Sequence, residues 1–458
     1  MIFFAIFSLA VLFLILSFAL PCWARLALAV SLSVLQMYLP GVMIGAYPPP
    51  LALLTGLLLW PEFLKGLKFT PAWAPTKILI AIGTAYTVSL MWSIDLQSGV
   101  RALVYLWLFL AIFSAAVIEG RRNHRRVINL LACTVILAAV AAATIILFRV
   151  LPIIKLGYLQ SSLASLFINR NVLELLFTTA QNNVLDPTKS GGMLFVNANV
   201  AGAYMGVMAF AGIGIFRLRG SKLALGASIC CLTAIFFTGS KAAIILAILG
   251  ASSTMVLLVK TDANRRGRVK NWVFIICTIN VVLLAWLLFF SGMMSISSSG
   301  VRAFAGDSDA TLAVRQQIWG YAAIEFFHHP LLGQGFGGWQ KGFAGYARYV
   351  GVQEGYPPHN TIIYLWSQGG LVAAALGLLF IFCVLSFAKR RLKIDAVNRL
   401  FGIVLAMSGA FGWVFIHGMG ENFGLLGDEH MEPVLAVLLA LAYLQRNENM
   451  LNYVLAKD

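Results

Sequence analysis

The sequence predicts an all-α protein, a single polytopic bundle of about 12–14 transmembrane helices. Three observations carry this. The 458-residue chain is 60% hydrophobic and only 11% charged, with a mean hydropathy of +0.87; a soluble domain carries about 25% charged residues. Apolar runs near or above the roughly 20 residues that cross a bilayer recur along the chain. The net charge of +16 is concentrated in short segments between those runs: RRNHRR (121–126), RLRGSK (217–222), ANRRGRVK (263–270) and KRRLK (389–393). That is the signature of cytoplasmic loops. The charge therefore reads as topology and not as a nucleic-acid surface, with contact to lipid headgroups as a further reading.

Spans are placed near 2–20, 26–44, 47–64, 75–92, 101–119, 127–150, 191–216, 222–238, 241–259, 271–291, 360–387, 400–417 and 431–445. Helices are expected because unpaired backbone groups are intolerable in lipid. The first run, MIFFAIFSLAVLFLILSFAL, lacks a basic leader and a clear cleavage site, so it reads as a span and not a signal peptide. The Pro-rich AYPPPL (46–51) predicts a broken or short helix. With the basic segments inside, connections 93–100, 151–190, 292–358 and 418–430 and the turn Thr238–Lys241 fall outside. The expected organisation is one membrane domain, 1–458, with a first long periplasmic loop at 151–190 and a second at 292–358. Loops of that length are usually functional or disordered. The six cysteines form no CxxC pair, so neither a disulfide framework nor a thiolate metal site is expected.

The second loop has its own pattern. Asp309 is placed to cap an amphipathic helix over 311–328, with Pro330 beyond its end. Val314, Ile318, Tyr321 and Ala322 share one side, as in a helix lying on a membrane or a bundle. LLGQGFGGW (331–339) then permits tight turns, and YPPHN returns the chain to the membrane.

Three residues stand out chemically. His359 sits at the outer mouth of a span, where a general base would titrate near working pH; the bland alternative is an interfacial cap. Arg315, in VRQQIW, is informative because outer cations are sparse, and arginine grips phosphate bidentately. Lys241 opens the span after the TGS turn, either snorkelling or adding charge to an anion site at a helix start. Candidate substrate contacts are Arg170 in the first loop, Asn197 and Asn199 in FVNANVAGAYMG, and His417 and Glu421 in IHGMGENFG, which share a face if that stretch is helical. A metal held by His417, Glu421 and His430 is not expected, since no HExxH-like spacing occurs. His328 and His329 read as the end of the loop helix. No Walker A, Rossmann or GxSxG pattern is present, so no cofactor is expected.

In order, FVNANVAGAYM, TGSKAAIILAILG, VRQQIWGYAAIEFFHHPLLGQGFGGW and PPHNTIIYLWSQGG resemble the O-antigen ligase and polymerase superfamily, most strongly over 191–375. The resemblance implies a glycosyltransferase-C-like membrane fold and an inner-membrane location with the site facing the periplasm. It also implies an undecaprenyl-diphosphate-linked glycan donor and an inverting transfer without metal. By motif position, His359 matches the histidine of the H-N motif, the proposed base. Arg315 matches the arginine before I-W. Lys241 falls where relatives usually have arginine in T-G-S-R-G, keeping the charge but losing the fork. His417 and Glu421 resemble the H-S-x-x-E element of protein-glycosylating relatives.

The leading expectation is a polymerase of lipid-linked repeat units, for O-antigen or exopolysaccharide. Its partners would be membrane lipids, a glycan acceptor and a chain-length regulator. The alternatives are a ligase acting on lipid A–core and an O-linked protein oligosaccharyltransferase. A non-enzyme alternative is a lipid-linked glycan flippase, which should carry charges within its spans.

Overall fold

The computed structural model describes residues 2–38, 50–178, 186–250, 300–394, 401–421 and 423–446. Among them the regular structure is helical throughout, without a strand. Among the described residues five helices are long and apolar enough to cross a membrane: Ala74–Trp92, Leu96–Val150, Ala198–Arg219, Thr361–Leu392 and Phe401–Gly418. Shorter apolar helices include Phe7–Ala19, Cys22–Leu35, Lys222–Thr238, Lys241–Gly250 and Glu432–Gln445. The part of the span expected at 241–259 beyond Gly250, the whole of that expected at 271–291, residues 46–49 of AYPPPL and the basic segment 263–270 lie outside the described residues.

The Leu96–Val150 helix begins at Asp95, whose carboxylate accepts the Ser98 N–H at 3.1 Å. It breaks at Asn123, where φ −156° and ψ 88° leave the helical region. The break falls inside RRNHRR, between the two expected spans. Arg126 reaches back across it to Glu119 at 3.1 Å.

Ala198–Arg219 and Phe401–Gly418 form the close-packed centre. Gly206 lies against the Trp413 ring, and Gly214 against the backbone of Gly402, so a Cβ at either would clash. Trp413 Nε1 donates to the Ala203 carbonyl at 3.0 Å. Small residues that let helix backbones approach are the usual device where lipid supplies no hydrophobic drive between helices. Glu432–Gln445 is buried on every side from Pro433 onward, which explains its uninterrupted apolar sequence.

Several boundaries differ from expectation. The second helix ends at Leu35 instead of continuing to 44, with Gln36 in the left-handed region. The helix expected from 191 starts at Ala198, because Asn197 caps it by accepting the Asn199 N–H at 2.8 Å. The second-loop helix runs from Gly300 to His328, so Asp309 is inside it and not its cap. Its face with Ile318, Tyr321 and Ala322 packs on Trp339, Phe343 and Ala347 of the Trp339–Val350 helix.

The largest departure concerns the span after His359. The Thr361–Ile394 helix is broken at Gly369–Gly370, with Gly370 at φ 70°. The glycine-rich segment 331–338 docks into that break. Gln334 N–H donates to the Ser367 carbonyl at 2.8 Å, and Gly337 N–H to Gln368 Oε1 at 2.6 Å. Phe336 stacks on Tyr86 with centroids 4.2 Å apart. Irregular backbone is tolerated at such depth only where protein satisfies its polar groups. These bonds do so, and a side chain at Gly370 would strike the Leu331 carbonyl.

The three described basic segments, 121–126, 217–222 and 389–393, gather at one end. Arg219 donates to the Arg125 carbonyl at 3.2 Å and Arg391 to the Arg446 carbonyl at 2.7 Å, while Arg121 lies 4.7 Å over the Phe69 ring. Arg101 meets Glu429 at the other end of the same helical arm, at 3.4 Å.

Candidate functional site

The site is assembled at that second end, around a carboxylate. The Phe401–Gly418 helix stops at Gly418, and a tight turn carries the chain to Glu421, its N–H donating to the Gly418 carbonyl at 3.4 Å. Glu421 therefore leaves the helical face that it was expected to share with His417. The His417 ring stays in the bundle, 1% exposed and stacked between Trp413 and Phe423.

Three elements converge on Glu421. Asn199, in the first turn of Ala198–Arg219, donates to Oε1 at 2.7 Å. Arg315, from Gly300–His328, donates to the same oxygen at 3.2 Å. His359 Nδ1 lies 3.9 Å from Oε2. The Glu421 side chain is 6% exposed and that of His359 17%. The carboxylate is thus nearly withdrawn from water, while the imidazole keeps an opening.

Local structure fixes His359. Asn360 Oδ1 accepts the N–H groups of Ile362 and Ile363 at 2.9 and 3.2 Å, capping the following span. Asn360 Nδ2 donates to the Met419 carbonyl at 3.3 Å, tying this corner to the Glu421 turn. Trp319 Nε1 holds the Pro358 carbonyl at 3.2 Å, and Trp339 Nε1 the Tyr356 carbonyl at 3.0 Å. His359 itself has φ 49°, the left-handed region that side chains rarely adopt. Such an outlier persists only where the surroundings over-determine it; here both flanks are pinned.

Electrostatics follow from burial. Burial, helped by the neighbouring Arg315 charge, holds the His359 imidazole down at about 4. Burial pushes the Glu421 carboxyl up to about 7, against the pull of Arg315, the Asn199 hydrogen bond and Lys189. At neutral pH the imidazole is a neutral acceptor next to a fixed cation.

The remaining candidates are placed differently. Asn197 is the helix cap already described. Lys241 enters the first turn of Lys241–Gly250, after Ser240, whose hydroxyl accepts the Ala243 N–H at 3.3 Å. The neighbouring segment reaches this turn through Ser190 N–H, which donates to the Thr238 carbonyl at 3.0 Å. Arg170 is not brought to the site: it pairs with Glu174 one turn on at 2.9 Å, both mostly exposed. His430 turns to Asp428 and packs on Phe195. Among the described residues no group of three or more potential metal-ligating side chains converges.

Two further residues belong to this corner of the structure. Lys189 is the lysine whose charge registers at Glu421; the sparseness of outer cations, which singled out Arg315, applied to it equally. Asn360, the second residue of the H-N motif, carries an N-cap signal of its own, an Asn just before an apolar helical run.

Fold and site together define a multi-pass, all-α membrane protein. Its polar cluster of imidazole, guanidinium, amide and carboxylate lies at the end of the bundle away from the basic segments. The family model described as O-antigen ligase matches residues 226–378, a third of the chain, and over that segment the chain is similar to the O-antigen ligase and polymerase superfamily. This supports an enzyme of that general type. The match includes Lys241, Arg315 and His359, but Asn199 precedes it and Glu421 follows it. A search of curated proteins found no match.

Proposed function

We propose that this protein is an inner-membrane glycosyltransferase that polymerises undecaprenyl-diphosphate-linked repeat units at the periplasmic face. The observation that carries the reading is the convergence of a neutral, recessed His359 and the Arg315 guanidinium on one corner at the end opposite the basic segments. By the positive-inside rule that end faces outward. A lipid-linked diphosphate sits at headgroup depth, and its glycan projects into the same space.

In the proposed reaction the acceptor hydroxyl attacks the anomeric carbon as His359 Nε2 takes its proton. The new glycosidic C–O bond forms while the bond to the diphosphate oxygen breaks. Undecaprenyl diphosphate leaves with the bonding pair, and the anomeric centre inverts. Arg315 and Lys241 are assigned to the diphosphate, because fixed cations where negative charge develops lower the barrier without reorganisation. The diphosphate is a good leaving group, so neither a general acid nor a metal is required by this scheme.

The description of the matching family favours a second reading, transfer of a finished glycan to lipid A–core by the same residues. The test is to give the purified protein lipid-linked repeat units alone and resolve the products by size. A ladder supports the polymerase. Product formed only after lipid A–core is added, by a single transfer, replaces it with the ligase. Loss of the reaction in EDTA overturns the metal-free scheme.

A further inference from the structure

Glu421 lies at the centre of the cluster, yet the chemistry above makes no use of it. Its Oε1 is shared by Asn199 and Arg315, while Oε2 stops 3.9 Å from His359 Nδ1, about 1 Å beyond the ~2.8 Å of a charge-assisted hydrogen bond. A carboxylate this buried depends on its partners. A diphosphate engaging Arg315 competes with it, since both anions use the same guanidinium. The next group within reach is the imidazole. Gly420, whose absent Cβ would stand 3.8 Å from Arg315 Nη1, leaves that side of the guanidinium uncrowded.

We propose that Glu421 is a positioning residue that changes partner when the donor binds. It neutralises Arg315 in the empty site. When a diphosphate takes Arg315, it turns to the His359 Nδ1–H, aims Nε2 at the acceptor and stabilises the imidazolium formed on proton transfer. The proposal rests on the roles given above to His359 and Arg315.

The physical consequence is that base strength is tied to donor occupancy. In the empty site, burial and an adjacent guanidinium keep His359 a weak base. Bound diphosphate offsets the guanidinium, and Glu421 accepts the ring Nδ1–H at hydrogen-bond distance, so that ionisation of a carboxyl otherwise held up at about 7 and protonation of the ring favour each other. Among the described residues, the groups facing Glu421 from the surrounding elements are Asn199, Arg315, His359 and Lys189. On its own element, His417 is turned into the Trp413–Phe423 stack. The exchange therefore involves a small, named set of charges.

The experiment is histidine-selective 15N NMR of the full chain in nanodiscs, titrated with pH, without and with undecaprenyl diphosphate as the probe. The chain has six histidines, and His359 is assigned by the signal lost in His359→Gln. In the native protein the probe should raise the His359 midpoint by roughly 1–3 units. In Glu421→Gln the rise should fall to less than half of that. Glu421→Asp, which keeps the charge, should recover most of it and guards against a folding defect in the amide variant. The same rise in Glu421→Gln as in the native protein, with the other five signals undisturbed, overturns the proposal. If transfer nevertheless needs His359 and Arg315, only the partner exchange has failed. If transfer survives His359→Ala and Arg315→Ala, the glycosyltransferase reading fails and takes the exchange with it.

Discussion

Asn360→Ala tests whether the corner that carries His359 is held as the structure indicates. The side chain accepts two N–H groups at the start of the Thr361–Ile394 helix, at 2.9 and 3.2 Å, and donates one bond to Met419 at 3.3 Å. Loss of an N-cap costs about 0.5–2 kcal/mol, and loss of one further hydrogen bond about 0.5–1.5 kcal/mol. Together these come to roughly 1–3.5 kcal/mol, concentrated where His359 holds φ 49°. The three bonds lie at the end of the helix and not within the packed bundle, so the expected effect is on placement more than on folding. A displacement of about 1 Å at a reacting group can cost on the order of 10²-fold. Asn360→Ala should therefore lower kcat in the lipid-linked transfer assay by roughly 10- to 100-fold. The variant should still purify as a monodisperse protein. Asn360→Ser keeps a capping oxygen but loses the bond to Met419, and should fall between the two. Activity of Asn360→Ala within about twofold of the native enzyme would refute the reasoning. So would equal loss in the Ser and Ala variants, which would place the cap outside the mechanism.

The remaining predictions are more direct. His359 acts in its neutral form and is held at about 4, so the acid limb of kcat/KM should fall near that value, well below the ~6.5 of an ordinary histidine. The His359 limb of kcat/KM should appear only as pH falls through that lowered value, separate from any loss near 7 as Glu421 protonates; a His359 limb at the ordinary value would show that the imidazole is not held in this environment. His359→Ala should reduce turnover by about 10²–10⁴-fold, the usual share of a positioned base, and near-normal turnover would return the residue to an interfacial cap. Lys241→Arg should retain much of the activity and Lys241→Gln should lose it, read as kcat/KM with lipid-linked donor; equal values in all three would mean that the lysine only snorkels. Gly370→Ala should abolish the docking of segment 331–338, because the side chain would meet the Leu331 carbonyl; the readout is loss of monodisperse protein or of thermal stability.

Local pattern was enough for much of this. Apolar runs of bilayer length specify helices because lipid offers backbone groups no other partner, and the basic segments mark one end of the bundle because charge resists translocation. The residue types of the site were legible too. His359 and Arg315 stood out as polar groups at the outer mouth and loop, and Glu421 as part of a His/Glu pair. Tertiary structure decided how they meet. Arg315 and Glu421 are 106 residues apart, and Asn199 and Glu421 are 222 apart, so their contacts depend on which helices pack side by side. The same packing turned His417 into the core and left Arg170 paired with its own helical neighbour. It also drew Lys189 toward the carboxylate. The break at Gly369–Gly370 was hidden for a related reason. A GG pair in an apolar run is compatible with a continuous span, and only the docked segment 331–338, which takes up the freed backbone groups, makes the broken form the stable one.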